Sequence, residues 1–190
     1  MDDARTAGLS LLERATSYCL GSLSMITPDV LPRTTPCTAW DLKALLRHMN
    51  DSLVALCEAV AVGAVGADVP PEPERWPDDV LVRLRDNACR LLGAWTDTAG
   101  PESVSIAGQR LPAVIVAGTG ALEIAVHGWD VARTCGDVRP IPAGLAEALL
   151  DLAPLIVTDA DRPARFGTPV RVPPTAAAGA RLVAFLGRKP

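Results

Sequence analysis

Apolar residues recur at threes and fours along most of this chain, which is the period of helices burying one face. Leu9, Leu12, Thr16, Cys19, Leu23 and Ile26 predict a first helix over about residues 5–26, stopped by Thr27-Pro28. A Pro-punctuated loop from Leu31 to Cys37 follows. Thr38-Ala39-Trp40-Asp41 then resembles a capping box with Asp in place of the usual Glu, so a second helix is expected to start there. Its inward set is Leu42, Leu45, Leu46, Met49, Leu53, Leu56 and Val60, and His48 lies on the flank of that seam. After a Gly/Pro/Glu linker from about Gly63 to Trp76, Pro77 and Asp78 open a third helix. Leu81, Leu84, Ala88, Leu91, Leu92 and Trp95 face inward on it, and Gly100-Pro101 ends it.

From Ser103 to Pro112, Val104 and Ile106 alternate with polar neighbours, which predicts a small hairpin turning at Gly108-Gln109. A fourth helix is expected over 113–134, apolar nearly all round in its first half and so the most enclosed. A fifth, over 143–157, carries Leu145, Leu149, Leu152 and Ile156. Residues 159–175, rich in Pro, Gly and Arg, read as an extended surface segment before a last short helix over 176–186. The expected fold is all-α: one domain spanning residues 1–190, an up-and-down four-helix bundle with a small hairpin and a C-terminal extended and helical embellishment.

Composition agrees with a soluble globular chain, since 49% of residues are hydrophobic and 21% charged. The net charge of -4, with arginines scattered among acids, gives no basic footprint for nucleic acid. The start, Met1-Asp2-Asp3-Ala4-Arg5, lacks the basic opening and apolar run of a secretory signal, and the nearly uncharged stretch 111–126 is too short for a membrane span. A cytoplasmic protein with no membrane partner is expected. The five cysteines, Cys19, Cys37, Cys57, Cys89 and Cys135, contain no C-x-x-C pair and suggest neither a disulfide framework nor a thiolate cage; most read as small core residues. Arginine far outnumbers lysine and alanine is abundant, as in high-GC bacterial genomes.

The chemistry concentrates in three residues. Glu123 and His127 are four apart, so on a helix they point the same way and can share one ion. Their stripe, Val116, Gly120, Glu123, His127 and Val131, is otherwise small or apolar and should face the interior. A lone carboxylate there costs several kcal/mol or more unless it is protonated, paired or bound to a cation. His48, from the second helix, supplies a third ligand across the bundle and leaves at least one coordination position open. The competing reading is plain. A single interior histidine is more often a hydrogen-bonded core residue, and E-x-x-x-H pairs often only face solvent. Against it, these are the only two histidines in the chain, and Glu123 is the only charged residue of a long apolar stretch. His48 and Asp51, and His127 and Asp130, share a His-x-x-Asp spacing, so each Asp can accept a hydrogen bond from the imidazole N–H turned away from a metal. The alternative is that both acids are solvated on helix surfaces. Trp40 and Trp129 can line a pocket, although tryptophan at helical spacing is more often core, and neither is assigned a role.

Two segments carry a resemblance: Thr35-Pro36-Cys37-Thr38-Ala39-Trp40-Asp41 running into Leu45-Leu46-Arg47-His48, and Glu123-Ile124-Ala125-Val126-His127-Gly128-Trp129-Asp130. They resemble the signatures of the DinB-like metal-dependent helical bundles, and most closely the actinobacterial branch with the N-terminal domain of mycothiol-dependent maleylpyruvate isomerase. The tail, Phe166-Gly167 through Val170-Arg171-Val172-Pro173 to Arg181–Arg188, resembles the ending of a short single-domain subfamily described as metal-binding. The resemblance implies that His48, Glu123 and His127 hold a divalent ion, usually zinc, which activates a low-molecular-weight thiol such as mycothiol or bacillithiol. It implies a thiol transferase or isomerase acting on a small electrophile. Maleylpyruvate isomerisation itself is not carried over, because that enzyme continues into a further C-terminal domain that contributes to its active site.

Two other functions stay open beside this one. Metal-assisted hydrolysis would need a nearby general base, and a structural role, with the ion fastening two helices or the protein acting as a dimerising module, would need no adjoining cavity. Imidazole with carboxylate also suits nickel, iron and manganese. Bundles with exposed apolar seams often dimerise, so a homodimer is an expectation too.

Overall fold

The computed structural model describes residues 2–37, 40–66, 78–97, 101–162 and 165–190. Its helices are α1 (Asp2–Leu23), α2 (Leu42–Val62), α3 (Asp78–Asp97), α4 (Ala113–Thr134), α5 (Ala143–Ile156) and α6 (Ala178–Phe185). Short strands β1 (Ala64–Val65), β2 (Ser103–Ile106) and β3 (Gln109–Pro112) join them. The expected capping position Thr38, the linker over 67–77 with Pro77, the Trp95 side chain and the Gly100 stop lie outside the described residues.

The four long helices form the bundle: α1 packs on α4 and α3, and α2 packs on α3 and α4. Among the described residues α1 therefore faces α2, and α3 faces α4, across the diagonal. The reason lies in the phase of the leucines. The α2 seam is buried throughout, from Leu42 to Val60, and meets Leu12, Leu23, Leu84, Leu91 and Leu122, all 1% exposed or less. Each such leucine contributes about 1.5–3 kcal/mol of burial. α1 and α4 approach closely at Gly128, where an added Cβ would sit 3.1 Å from the Cys19 Cα. A side chain there would press the two backbones apart by a few tenths of an ångström, and glycine avoids this.

The start of α2 differs from expectation. Asp41 is itself the cap, its carboxylate accepting from the Ala44 N–H at 2.8 Å. Residue 41 is extended and bridged to Thr34, and the Leu42 N–H bonds the Arg33 carbonyl, so the backbone is committed to a strand-like pairing until residue 42.

The hairpin forms between β2 and β3 with Ser103 opposite Pro112 and Ile106 opposite Gln109. Its turn is Ala107-Gly108, one residue earlier than predicted, with φ of 49° and 79°. Positive φ at both central residues matches the right-handed twist of the strands. The reading of 63–76 as linker missed β1, which pairs parallel to β2 with Ala64 opposite Ser105. On α3 it is Val80, with Leu84, Ala88 and Leu91, that is buried, while Leu81 and Leu92 are half-buried; Leu152 and Ile156 are half-buried on α5. The expectation for the cysteines also changes. Cys19 alone is buried, Cys37, Cys57 and Cys135 are half-buried, and Cys89, one position past inward Ala88, is exposed; none of the five forms a disulfide.

α4 is the one helix among the described residues long and apolar enough to cross a membrane, and 78% of its most apolar window is buried inside the protein. It is the enclosed central helix that its composition predicts. The tail runs back along the bundle through a short turn at Asp159–Asp161 and reaches α6, which packs on α5. The Val170 N–H bonds the Ala184 carbonyl, and the Arg162 guanidinium bonds the carbonyls of Gly167 and Phe185.

Candidate metal centre

α2 and α4 are packed side by side, and each brings part of the site. On α2 the buried residues Leu45, Leu46 and Met49 fix the rotation of the helix and leave His48 at the edge of the core, its side chain 35% exposed. On α4, Glu123 and His127 follow one another along the face turned to α2. His127 Nε2 lies 3.1 Å from Glu123 Oε2, and His48 Nε2 lies 3.5 Å from the same oxygen. One atom from each of the three residues falls within 4.8 Å of the others. The structure brings the three residues together. Two imidazole nitrogens and a carboxylate oxygen so arranged are a donor set that suits a divalent transition ion.

The two predicted Asp partners separate. Asp130 is fully buried and accepts from His127 Nδ1 at 3.0 Å, which turns Nε2 toward Glu123 and His48. Asp51 is exposed and forms no hydrogen bond with His48. Three residues along a helix permit contact; here the His48 ring instead leans toward Glu123 and Trp40.

Charge follows from this packing. Burial pushes the Glu123 carboxyl upward, but hydrogen bonds and charge from His127 and His48 outweigh it and hold the group far below the usual carboxylate range. Burial pulls the His127 imidazolium down, yet its bonds to Asp130 and Glu123 prevail and raise it to about 9. Asp130 is likewise held low against its burial by His127 and Arg188. Without a metal, the row Glu123, His127, Asp130, Arg188 alternates in sign.

A cavity of about 510 Å³ opens against the three residues. Trp40, Cys37 and Ser52 line one part of it, and Asp161, Arg165, Phe166 and Arg188 from the tail line another. Trp40, for which the sequence left pocket wall and core both open, has its ring 4.5 Å from the His48 ring. Thr35 holds it there, its hydroxyl and N–H both donating to the Trp40 carbonyl. Trp129 does pack in the core. The tail residues were missed because they are far away in sequence and belong to no periodic pattern.

The model of the mycothiol maleylpyruvate isomerase N-terminal domain family matches residues 12–132, which include α2, all but the last two residues of α4 and all three residues of the cluster. The chain belongs to this family. Its members are DinB-like metal-binding bundles, and the His48, Glu123 and His127 cluster lies within the matched segment. No curated protein and no solved structure matches the chain. The tail residues on the cavity, from Asp161 to Arg188, lie beyond the matched family segment.

Proposed function

We propose that His48, Glu123 and His127 hold one divalent ion, zinc before nickel, iron or manganese, and that the protein is a metal-dependent thiol transferase or isomerase. The observation that carries this is the convergence of the three donor atoms at the wall of a cavity large enough for a small molecule. A structural clip between helices needs no such space. A bound cation lowers the pKa of a thiol or water and so supplies a nucleophile at neutral pH. The residues around it set its charge: Glu123, Asp130 and Arg188 with a divalent ion and two neutral imidazoles leave one net positive charge, which suits one thiolate.

Thiol activation is favoured over hydrolysis by the absence of a free base among the described residues of the cavity. Apart from Glu123, its lining carboxylate is Asp161. The Thr158 N–H and hydroxyl both donate to Asp161, and Arg165 lies 3.7 Å away, so its carboxyl is held low and accepts protons poorly. Mycothiol as the thiol follows the family name, and Trp40 and Phe166 give apolar walls for an electrophile. The family match is to an N-terminal domain alone, so thiol activation is the part of the activity carried over.

The test is metal content by mass spectrometry on untagged protein never exposed to chelator, with His48→Ala and Glu123→Ala alongside. About one equivalent of a transition metal in the wild type, and sharply less in both variants, is expected. A wild type that stays empty after incubation with zinc, nickel and manganese sinks the metal reading and the enzyme reading with it.

A further inference from the structure

The C-terminal tail reaches the site through one side chain. α6 ends where Gly187 takes φ +86°, its N–H bonding the Ala184 carbonyl while the Arg188 N–H bonds that of Val183. This is the glycine-terminated helix end in which the next residue turns back across the helix. Gly187 is required twice over, since a Cβ there would also lie 2.6 Å from the Gly167 backbone.

The turn sends Arg188 inward, where it is 6% exposed. Its Nε lies 3.2 and 3.3 Å from the two oxygens of Asp130, Nη2 lies 2.9 Å from Oδ2, and Nη1 donates to the Leu186 carbonyl at 3.1 Å. That Oδ2 is the oxygen that accepts from His127 Nδ1. A buried carboxylate with only one imidazole as partner could rotate or take up a proton. The planar guanidinium fork grips both oxygens and removes that freedom.

We propose that Arg188 is a positioning residue of the metal centre: acting through Asp130, it fixes the tautomer and direction of His127, so that the tail completes a site whose ligands all lie in the family-matched bundle. The inference rests on the metal reading above. It also says more, because a buried ion pair that merely pinned the tail would leave metal affinity untouched. Ligand orientation by outer partners is worth about 10–100-fold in metal affinity.

The experiment compares the full-length wild type with Arg188→Met, Arg188→Lys and Leu182→Ala. Zinc dissociation constants are read by competition with a chromophoric chelator, together with the cobalt(II) visible spectrum and thermal melting. Arg188→Met is expected to weaken zinc about 10–100-fold and to alter the cobalt bands. Arg188→Lys should fall between the two, since an ammonium restores charge but not the fork. Leu182→Ala loosens the same tail by removing a buried core side chain, and should lower the melting temperature while zinc affinity stays near wild type.

Folded Arg188→Met with wild-type zinc affinity and cobalt spectrum overturns the proposal, and so does Leu182→Ala weakening zinc equally. If Arg188→Met does not fold, Arg188→Lys decides: wild-type zinc affinity there overturns the need for the fork, and weakened affinity supports it. A wild type that takes up neither zinc nor cobalt overturns the metal reading itself, an outcome distinct from a wild type that binds while the Arg188 variants bind just as well.

Discussion

His127 stands between two carboxylates, and its protonation ties the metal to pH. In the metal-free protein its imidazolium is raised from 6.5 to about 9. A group whose folded pKa is raised contributes stability that is complete below its unfolded value and lost as pH climbs through the folded one. The melting temperature of the chelated protein should therefore fall between about pH 7 and pH 10. Asp130→Asn, which removes one of the two acids raising His127, should flatten that fall. Thermal scans in chelator across this range check it, and an equally steep dependence in the variant would contradict the assignment to His127. The same pKa means that a metal must displace a proton from Nε2. At pH 7.5, zinc binding should release about one proton, read by calorimetry in buffers of differing ionisation enthalpy. The trio itself was partly legible in sequence: two histidines and one charged residue in an apolar run suggest a pairing without excluding core histidines, and the resemblance of their segments to a metal-binding family singled them out. Arg188 was not, since nothing local says which buried acid a residue 58 positions away will meet.

At the scale of elements, what was legible depended on whether burial or backbone conformation set the boundary. α4 runs from Ala113 to Thr134 as expected, because an apolar helix enclosed by neighbours announces its full length. The start of α2 and the hairpin turn each moved, because both are fixed by a few φ and ψ values. In the turn, Ala107 sits at φ 49°, a conformation that costs an L-residue with a Cβ about 1–2 kcal/mol and that Asn adopts more readily. Nothing else is asked of Ala107, which is exposed. Ala107→Asn should therefore stabilise the protein by about 0.5–1 kcal/mol, seen as a higher denaturant midpoint at unchanged slope. The hairpin lies apart from the His48, Glu123 and His127 cluster, so zinc affinity should stay as in the wild type. A lower midpoint would mean that the turn is held by contacts other than its own backbone preference.

For the molecule as a whole, the question is whether the ion builds the fold or only occupies it. Small zinc modules unfold without metal because they have little else to bury. This chain buries a continuous set of leucines from α1 to α6, a core far larger than the three residues of the site. The site itself is also provided for without an ion. Glu123 faces the imidazolium of His127, which faces Asp130, which faces Arg188, so each buried charge has an opposite neighbour and no carboxylate is left unpaired. Chelation should therefore leave the far-UV circular dichroism unchanged and the unfolding cooperative. Metal then acts as a ligand of the folded state, adding about 4 kcal/mol at a thousandfold excess over its dissociation constant. For a chain of this size that is a rise of roughly 8–16 °C in melting temperature. His48→Ala should abolish most of the rise while leaving the metal-free melt nearly unmoved, since His48 is one-third exposed and outside the alternating row. Loss of helical signal on chelation would instead place the ion among the forces that fold the bundle, and would favour a structural clip over a site built to exchange ligands.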